Sequence, residues 1–277
     1  APSMLLAGKL MFCRFFFLGG PGMNSKKASF KANTEIGQNF LVDTTILDRI
    51  IAEAEVSETD ILFEIGAGNG VLTKRLLSAR PALLHTVEID RRLAPFLEPL
   101  TANPAVSLTW GDVLKIPLAE KLLPCPGKLV ANLPYHITTP VIWKILEELA
   151  PHGLRKMILM VQKEAADRLA CPKPGKNRSP LGITLQAMGS VRRLLEVSPE
   201  AFRPAPKVYS SVISVELQRS FELALDAEWR GLLRHSFEQR RKTLFNNLKG
   251  WLGSQVMDAA NLLEKFHWDP RVRAEEL

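Results

Sequence analysis

Asn132-Leu-Pro-Tyr135 sets a carboxamide, a main-chain carbonyl, a stiff ring and an aromatic face within four residues. That is equipment for alkylating the exocyclic amine of a nucleobase. Such an amine is a poor nucleophile, because its lone pair is delocalised into the ring. Two acceptors for its N–H groups, the Asn132 side-chain carbonyl and the Leu133 main-chain carbonyl, would draw the nitrogen toward tetrahedral geometry beside a methyl donor. Pro134 removes a competing donor and holds the preceding residue extended. Tyr135 offers a face for an extruded base, a contact worth about 1–3 kcal/mol. No general base is required, since the alkylated nitrogen loses its proton readily, so catalysis would rest on alignment. His136 is adjacent, but nothing in the sequence assigns it a partner.

A donor of methyl groups must be held opposite that turn, and three acids sit at the right intervals. Glu64-Ile-Gly-Ala-Gly-Asn-Gly70 joins a strand to a helix, and glycines there let the backbone turn sharply and approach a ligand. A dinucleotide loop would place its third glycine one residue later. Here an acid precedes the loop, which repels a diphosphate but suits a ligand carrying an ammonium and a sulfonium. Glu88, in Val87-Glu-Ile-Asp90, is placed to accept the ribose hydroxyls of a nucleoside. Asp112, in Gly111-Asp-Val-Leu114, is placed to accept from an adenine amino group.

The elements that position these residues alternate between strand and helix. A helix is expected over Thr44–Glu55, with Asp43 as its N-cap. Strands follow at Ile61–Ile65, Leu83–Ile89, Val106–Trp110, Lys128–Ala131 and Lys156–Gln162, with helices at Gly70–Ser78, Arg92–Leu100 and Thr139–Leu149. Apolar strands alternating with helices indicate an α/β fold with a parallel, doubly wound sheet. Strands at Ile183–Met188 and Val208–Leu217 are expected to complete it, and the Pro- and Gly-rich stretch Cys171–Pro180 reads as a loop. After Arg219 the pattern is helical only, near Ala227–Phe237, Arg241–Gly250 and Ser254–Phe266. The expected organisation is therefore a sheet domain over residues 23–218 and a small all-helical domain over 219–277.

The 277-residue chain carries a net charge of +7 and a pI of about 9.4, which favours anionic partners. The charge is concentrated: nine Lys/Arg lie between Arg155 and Arg193 against two acids, Glu164 and Asp167. Three cysteines (Cys13, Cys125 and Cys171) and five histidines show no metal-ligand spacing, so a reducing, metal-free intracellular protein is expected. Residues 1–22 read as a leader or added remnant preceding a natural start at Met23, too short and interrupted in their apolar run to span a membrane. A cytoplasmic location follows, or an organellar one if that segment is a targeting signal.

Several motifs together resemble one family. Gly37-Gln-Asn-Phe-Leu41, Glu64–Thr73, Asn132-Leu-Pro-Tyr-His-Ile-Thr-Thr-Pro140, Val161–Leu169 and Phe202-Arg-Pro-Ala-Pro-Lys-Val208 look like the ribosomal RNA adenine dimethyltransferases. The resemblance implies a Rossmann-like class I methyltransferase sheet and S-adenosylmethionine as cofactor. It implies a cofactor set of Gln38, Asn39, Leu41, Glu64, Gly66, Gly68, Glu88, Ile89, Asp112, Val113 and Asn132. At the reacting centre it implies Asn132, Leu133, Pro134 and Tyr135, with Phe202 against the target base from the side opposite Tyr135. Lys163, Arg168, Lys207, Arg240, Arg241 and Lys242 would contact RNA phosphates, which position the RNA without reading its sequence.

The stretch Phe237-Glu-Gln-Arg-Arg-Lys-Thr-Leu-Phe-Asn-Asn-Leu248 is similar to the KsgA-type branch. That branch dimethylates two adjacent adenosines in a hairpin near the 3′ end of small-subunit rRNA. The partner expected is accordingly that rRNA within a pre-assembled small subunit, with no membrane and with the enzyme as a monomer. The chain departs from relatives in lacking an aromatic before the expected sixth strand, at Arg178-Ser-Pro-Leu-Gly182, and in ending at Leu277 where they continue, so a shortened helical domain is expected. Alternatives are an Erm-type enzyme acting on large-subunit rRNA and an organellar, transcription-factor-like binding protein. A small-molecule methyltransferase would leave the basic segment and helical appendage without a role.

Overall fold

The computed structural model describes residues 38–172, 174–252, 261 and 263–277. Its centre is a seven-stranded sheet in the order β4-β3-β2-β5-β6-β9-β7. The strands are β2 (Ile61–Ile65), β3 (Leu83–Glu88), β4 (Val106–Trp110), β5 (Lys128–Asn132), β6 (Lys156–Gln162), β7 (Gly189–Val197) and β9 (Ser210–Leu217). A separate two-stranded ribbon pairs β1 (Phe40–Leu41) with β8 (Phe202–Arg203).

Burial on both faces explains why the central strands are continuously apolar. Phe63 and Ile65, with Met157, Leu159 and Val161, enter one core; their strand neighbours Leu62, Ile158 and Met160 enter the other. The first core packs against α5 (Thr138–Glu148), the second against α1 (Thr44–Ala54) and α2 (Val71–Ser78). The α1 helix starts as expected: the Asp43 side chain accepts from Thr45 N and Ile46 N, and Leu47, Ile50 and Ala54 form its buried stripe.

Four expectations need correction. The segment expected as a helix over Arg92–Leu100 is broken into a 3-10 turn (Arg91–Leu93), a four-residue α3 (Ala94–Leu97) and a second 3-10 turn (Glu98–Ala102). Pro95 and Pro99 lack the N–H groups that a continuous ladder needs. A short α4 (Leu118–Lys121) and then α6 (Lys163–Leu169) follow along the chain.

Ile183–Met188 is helix rather than strand, the second half of α7 (Pro180–Met188). Ser179 caps it by accepting from Gly182 N, Pro180 occupies the first turn, and Leu181, Leu185 and Met188 fall on one buried face. The strand that this segment was expected to supply is β7, which begins at Gly189. A Cβ there would sit 1.8 Å from the Glu216 carbonyl oxygen, so only glycine fits.

The sheet is therefore not wholly parallel. β2 to β6 run parallel, while β9 is antiparallel to both β6 and β7.

The fourth correction concerns the Arg240-Arg241-Lys242 run, expected near the start of a helix at Arg241. It lies instead in the turn between α8 (Ala227–Ser236) and α9 (Leu244–Leu252). The helix expected over Ser254–Phe266 falls largely outside the described residues. Residues 32–277 form one compact unit. Within it, Trp229 Nε1 on α8 donates to Thr184 Oγ1 on α7 (2.9 Å), and Arg230 pairs with Glu147 on α5.

Candidate active site

The tips of four parallel strands and the β1 ribbon surround a cleft of about 780 Å³ that is open to solvent. Its wall takes Gln38, Asn39 and Phe40 from the first motif, and Ile65, Gly66 and Gly68 from the loop after β2. Val87, Glu88 and Ile89 come from the end of β3 and the residue after it, Gly111, Asp112 and Val113 from just after β4, and Asn132 to Tyr135 with Ile137 from the end of β5 and the turn that follows. Twelve residues singled out from the sequence thus meet at one place: Gln38, Asn39, Gly66, Gly68, Glu88, Ile89, Asp112, Val113, Asn132, Leu133, Pro134 and Tyr135.

The glycine loop is held by its own backbone and by Glu88. Gly66 N donates to the Val87 carbonyl (2.8 Å), and Gly68 N donates to Glu88 Oε2 (2.8 Å). Gly68 has φ +57°, a conformation that favours glycine, and a Cβ on it would press to 3.1 Å from the Phe40 ring. The other Glu88 oxygen, Oε1, accepts from Asp90 N (2.8 Å). A carboxylate offers about four acceptor positions, so this buried group (4% exposed) keeps capacity for hydroxyl donors. Burial raises its pKa, against the lowering effect of these backbone donors.

Asp90, which sequence reasoning passed over, organises the rim. It accepts from Arg92 through both carboxylate oxygens and from Gln38 Nε2 (2.8 Å). The Arg92 guanidinium holds its carboxyl at about 2. Phe40 was also passed over, although its place between Asn39 and Leu41 in a short extended motif could have marked it.

At the β5 tip, Asn132 Nδ2 donates to the Asn39 main-chain carbonyl (3.1 Å). The reverse assignment would set two oxygens face to face, so the amide orientation is fixed with Oδ1 as the acceptor. Leu133 N donates to Met160 O (3.0 Å), which continues the sheet ladder into the turn. The Pro134 carbonyl accepts from Ile137 N and Thr138 Oγ1 and closes it. The Tyr135 hydroxyl lies 2.7 Å from Ser210 Oγ at the start of β9, which pins its half-buried ring.

The cleft has a distinctive charge pattern. Among the described residues that line it there is no lysine or arginine, whereas Glu88 and Asp112 are present. A chain of net charge +7 thus keeps a negative cleft, which suits a cationic ligand bearing hydroxyls and opposes a pyrophosphate. No group of three or more potential metal ligands occurs among the described residues.

Three expected residues are not brought to this cleft. Leu41 lines a smaller adjoining pocket, behind the wall formed by Phe40, Gly66 and Asn132. Glu64 is fully buried, and Thr73 Oγ1 (2.7 Å) and Thr86 Oγ1 (3.0 Å) both donate to its Oε2. Phe202, expected opposite Tyr135, is fully buried in the core with Leu41, its partner across the ribbon. Pairing of β8 with β1 leaves it on the inner face. If Phe202 only fills space, Phe202→Leu costs about 1–3 kcal/mol of stability and leaves transfer activity within a few-fold. Urea unfolding and a methylation assay measure the two effects, and a large loss of activity without loss of stability would restore the stacking role.

The basic residues are less free than their local sequence implied. Lys163 pairs with Glu196 (2.6 Å), Lys156 with Glu55 (2.5 Å), Arg168 with Glu164 (2.5 Å), Arg192 with Glu216 (3.4 Å) and Arg193 with Asp167. Glu55, Glu196 and Glu216 come from outside the segment, so counting acids within it missed them. Such exposed pairs are worth little and are open to exchange for phosphate. Arg240 pairs with Glu275 and donates to the Lys176 carbonyl, while Arg241, Lys242 and Lys207 are exposed.

Comparison with known proteins agrees with this geometry. The family model described as ribosomal RNA adenine dimethylase matches residues 29–267. The Ribosomal RNA small subunit methyltransferase A of Alkaliphilus oremlandii is 41% identical over 231 residues, covering 80% of this chain and 79% of that protein. Its namesake from Bacillus licheniformis is 38% identical over 262 residues, covering 91% and 89%. Among solved structures, a dimethyladenosine transferase from Plasmodium falciparum superposes with a TM-score of 0.73 at 27% identity, over 86% of this chain and 92% of that one. The 23S rRNA methyltransferase ErmE shares the fold, with a TM-score of 0.63 at 23% identity, over 86% and 96%. With a class I methyltransferase sheet and a match spanning most of its length, the chain belongs to the ribosomal RNA adenine dimethylase family.

Proposed function

We propose that this protein uses S-adenosylmethionine to dimethylate the N6 amines of two adjacent adenosines in the 3′-terminal hairpin of small-subunit rRNA. The single observation that carries the reading is the Asn132 carboxamide, which lines a cleft of negative character and is locked by Asn39 so that its oxygen is left as an acceptor. The names and coverage of the bacterial relatives support the choice of small-subunit RNA.

The residues present fit the cofactor. Glu88 would accept the ribose hydroxyls and Asp112 would accept from the adenine amine, with Ile89 and Val113 as the apolar cleft residues beside them. Gln38 and Asn39, beside Gly66 and Gly68, would hold the amino-acid end. Glu64 acts from behind, tying α2 and β3 to the loop through Thr73 and Thr86. Leu41 and Phe202 support the Gln38–Phe40 wall through the ribbon. The cofactor supplies a methyl group activated by its sulfonium.

The chain's own contribution is to hold the acceptor amine. Asn132 Oδ1 and the Leu133 carbonyl accept from the two N6–H groups, which localises the nitrogen lone pair along the line of transfer. Tyr135, anchored at Ser210, carries the base on its face. The proton released after alkylation goes to solvent. Lys163, Arg168, Lys207 and the Arg240–Lys242 turn bind phosphates outside the cleft, and the helical residues 219–277 carry that turn. The protein acts as a monomer on a pre-assembled small subunit.

Incubation with radiolabelled cofactor and undermethylated small subunits tests the proposal. Label is expected on two neighbouring adenosines near the 3′ end of the small-subunit RNA. Label confined to large-subunit RNA, or none with either subunit, would overturn it.

A further inference from the structure

Residues 204–209 join two strands, β8 and β9, each of which touches a cleft residue through one partner. On one side β8 pairs with β1, where Arg203 faces Phe40 in register, and Gln38, Asn39 and Phe40 form cleft wall. On the other side β9 begins with Ser210, the anchor of Tyr135. Tyr209 therefore lies one residue, about 3.8 Å between Cα atoms, from the group that positions the ring in the cleft.

The surroundings of Tyr209 give it a defined place but leave its ring uncovered. Its main-chain carbonyl accepts from Lys163 N (3.0 Å), which fixes the backbone against the start of α6. The residue is 49% exposed, beside Val208 at 43%. Lys163 Nζ stands 5.8 Å from the ring centroid and is held by Glu196. An exposed aromatic on a fixed backbone, with a cation beside it and one residue from the anchor of a cleft side chain, is a combination that binds unpaired nucleotides. The ring stacks on a base whatever its identity, and the ammonium meets the phosphate.

We propose that Tyr209 is a stacking platform for the nucleotide next to the one in the cleft, namely the second adenosine while the first is methylated. The inference rests on the proposed function, in which two adjacent bases are handled in turn. When one adenosine enters against Tyr135, its covalent neighbour is unstacked at the rim. Tyr209, reached through Ser210, gives that base a new surface. Lys163 contributes by holding the ring's approach and by drawing the intervening phosphate.

The test uses the full chain and an RNA hairpin carrying the adjacent adenosines, together with hairpins in which one or the other adenosine is abasic. Tyr209→Ala is expected to bind the intact hairpin about tenfold more weakly than wild type, while Tyr209→Phe stays within about twofold. On the hairpin that lacks the neighbouring base, Tyr209→Ala and wild type bind alike. With 2-aminopurine at the neighbouring position, fluorescence is quenched on binding by wild type and not by Tyr209→Ala. Cofactor affinity of the variant reports that it is folded. Equal binding of the intact hairpin by Tyr209→Ala and wild type overturns the inference. So does an equal loss on intact and abasic RNA, or a loss seen only on whole subunits, which would place a protein against the ring. If wild type itself neither binds the hairpin nor methylates subunits, it is the proposed function that fails.

Discussion

Replacing Asn132 by alanine lowers kcat/KM for methyl transfer by about a thousandfold, while the Kd for cofactor rises by less than about tenfold. The loss corresponds to about 4 kcal/mol of transition-state stabilisation. Asn132 Oδ1 accepts most strongly when the amine nitrogen begins to bond to the methyl carbon and its N–H groups become acidic. That interaction grows along the reaction, so its removal appears in kcat. The smaller effect on cofactor binding comes from the other end of the same side chain. Its Nδ2 donates to the Asn39 carbonyl on the cleft wall, and losing one such bond costs about 1 kcal/mol. Asn132→Asp separates the two contributions. It keeps an acceptor toward the amine but puts a second oxygen against the Asn39 carbonyl, so it should retain more turnover than alanine with poorer cofactor affinity. Single-turnover rates and calorimetric titration measure both. An alanine variant with a tenth or more of wild-type turnover would remove Asn132 from the reacting centre.

The cleft was legible because each of its parts is local. The glycine loop, Glu88, Asp112 and Asn132-Leu-Pro-Tyr135 each sit within a few residues of a strand end. Parallel strands in a doubly wound sheet bring such ends together whatever the details of packing. What escaped depends on partners far along the chain. Phe202 belongs to a motif that suggested a base contact, yet two residues of pairing with β1 turn it into the core. Ile183–Met188 has the apolar density of a strand, and only the Ser179 cap with Pro180 marks it as a helix. The strand itself, β7, is disguised by Arg192 and Arg193. These charges are tolerated because β7 is an edge strand, with a register shift between Arg193 and Leu195. The segregation of charge was half legible. The basic balance showed in the composition, but the acids that answer it, Glu55, Glu196 and Glu216, come from other elements.

Glu64 carries the second large effect, on stability rather than turnover. Thr73 and Thr86 both donate to Oε2, and Oε1 has no partner among the described residues. An ionised carboxylate would leave a bare charged oxygen in the core. Burial accordingly pushes the pKa from 4.5 to about 7, with the two threonine hydroxyls pulling the other way and Glu88 adding a smaller upward push. Because the folded-state value is raised, the native state binds the extra proton between pH 4.5 and 7, and stability falls as pH rises through that window. At 1.36 kcal/mol per unit, the full loss is about 3 kcal/mol above pH 7. Buried His85 works in the opposite sense, since desolvation lowers its pKa and folding must keep it neutral below about pH 6.5. Glu64→Gln isolates the acid: the amide oxygen still accepts from both threonines, the group cannot ionise, and His85 is common to both proteins. Urea unfolding of the cofactor-free protein at pH 4, 6, 7 and 8 should give nearly equal stabilities at pH 4. The variant then gains on wild type as pH rises, by up to about 3 kcal/mol at pH 8. Parallel curves would mean that Glu64 titrates normally. Ile65 and Gly66, the next two residues, line the cleft, so a cationic ligand there favours the Glu64 carboxylate. Cofactor affinity should therefore strengthen between pH 6 and 7 in wild type and do so less steeply in Glu64→Gln, where Glu88, also raised by burial, is the acid that remains in the cleft.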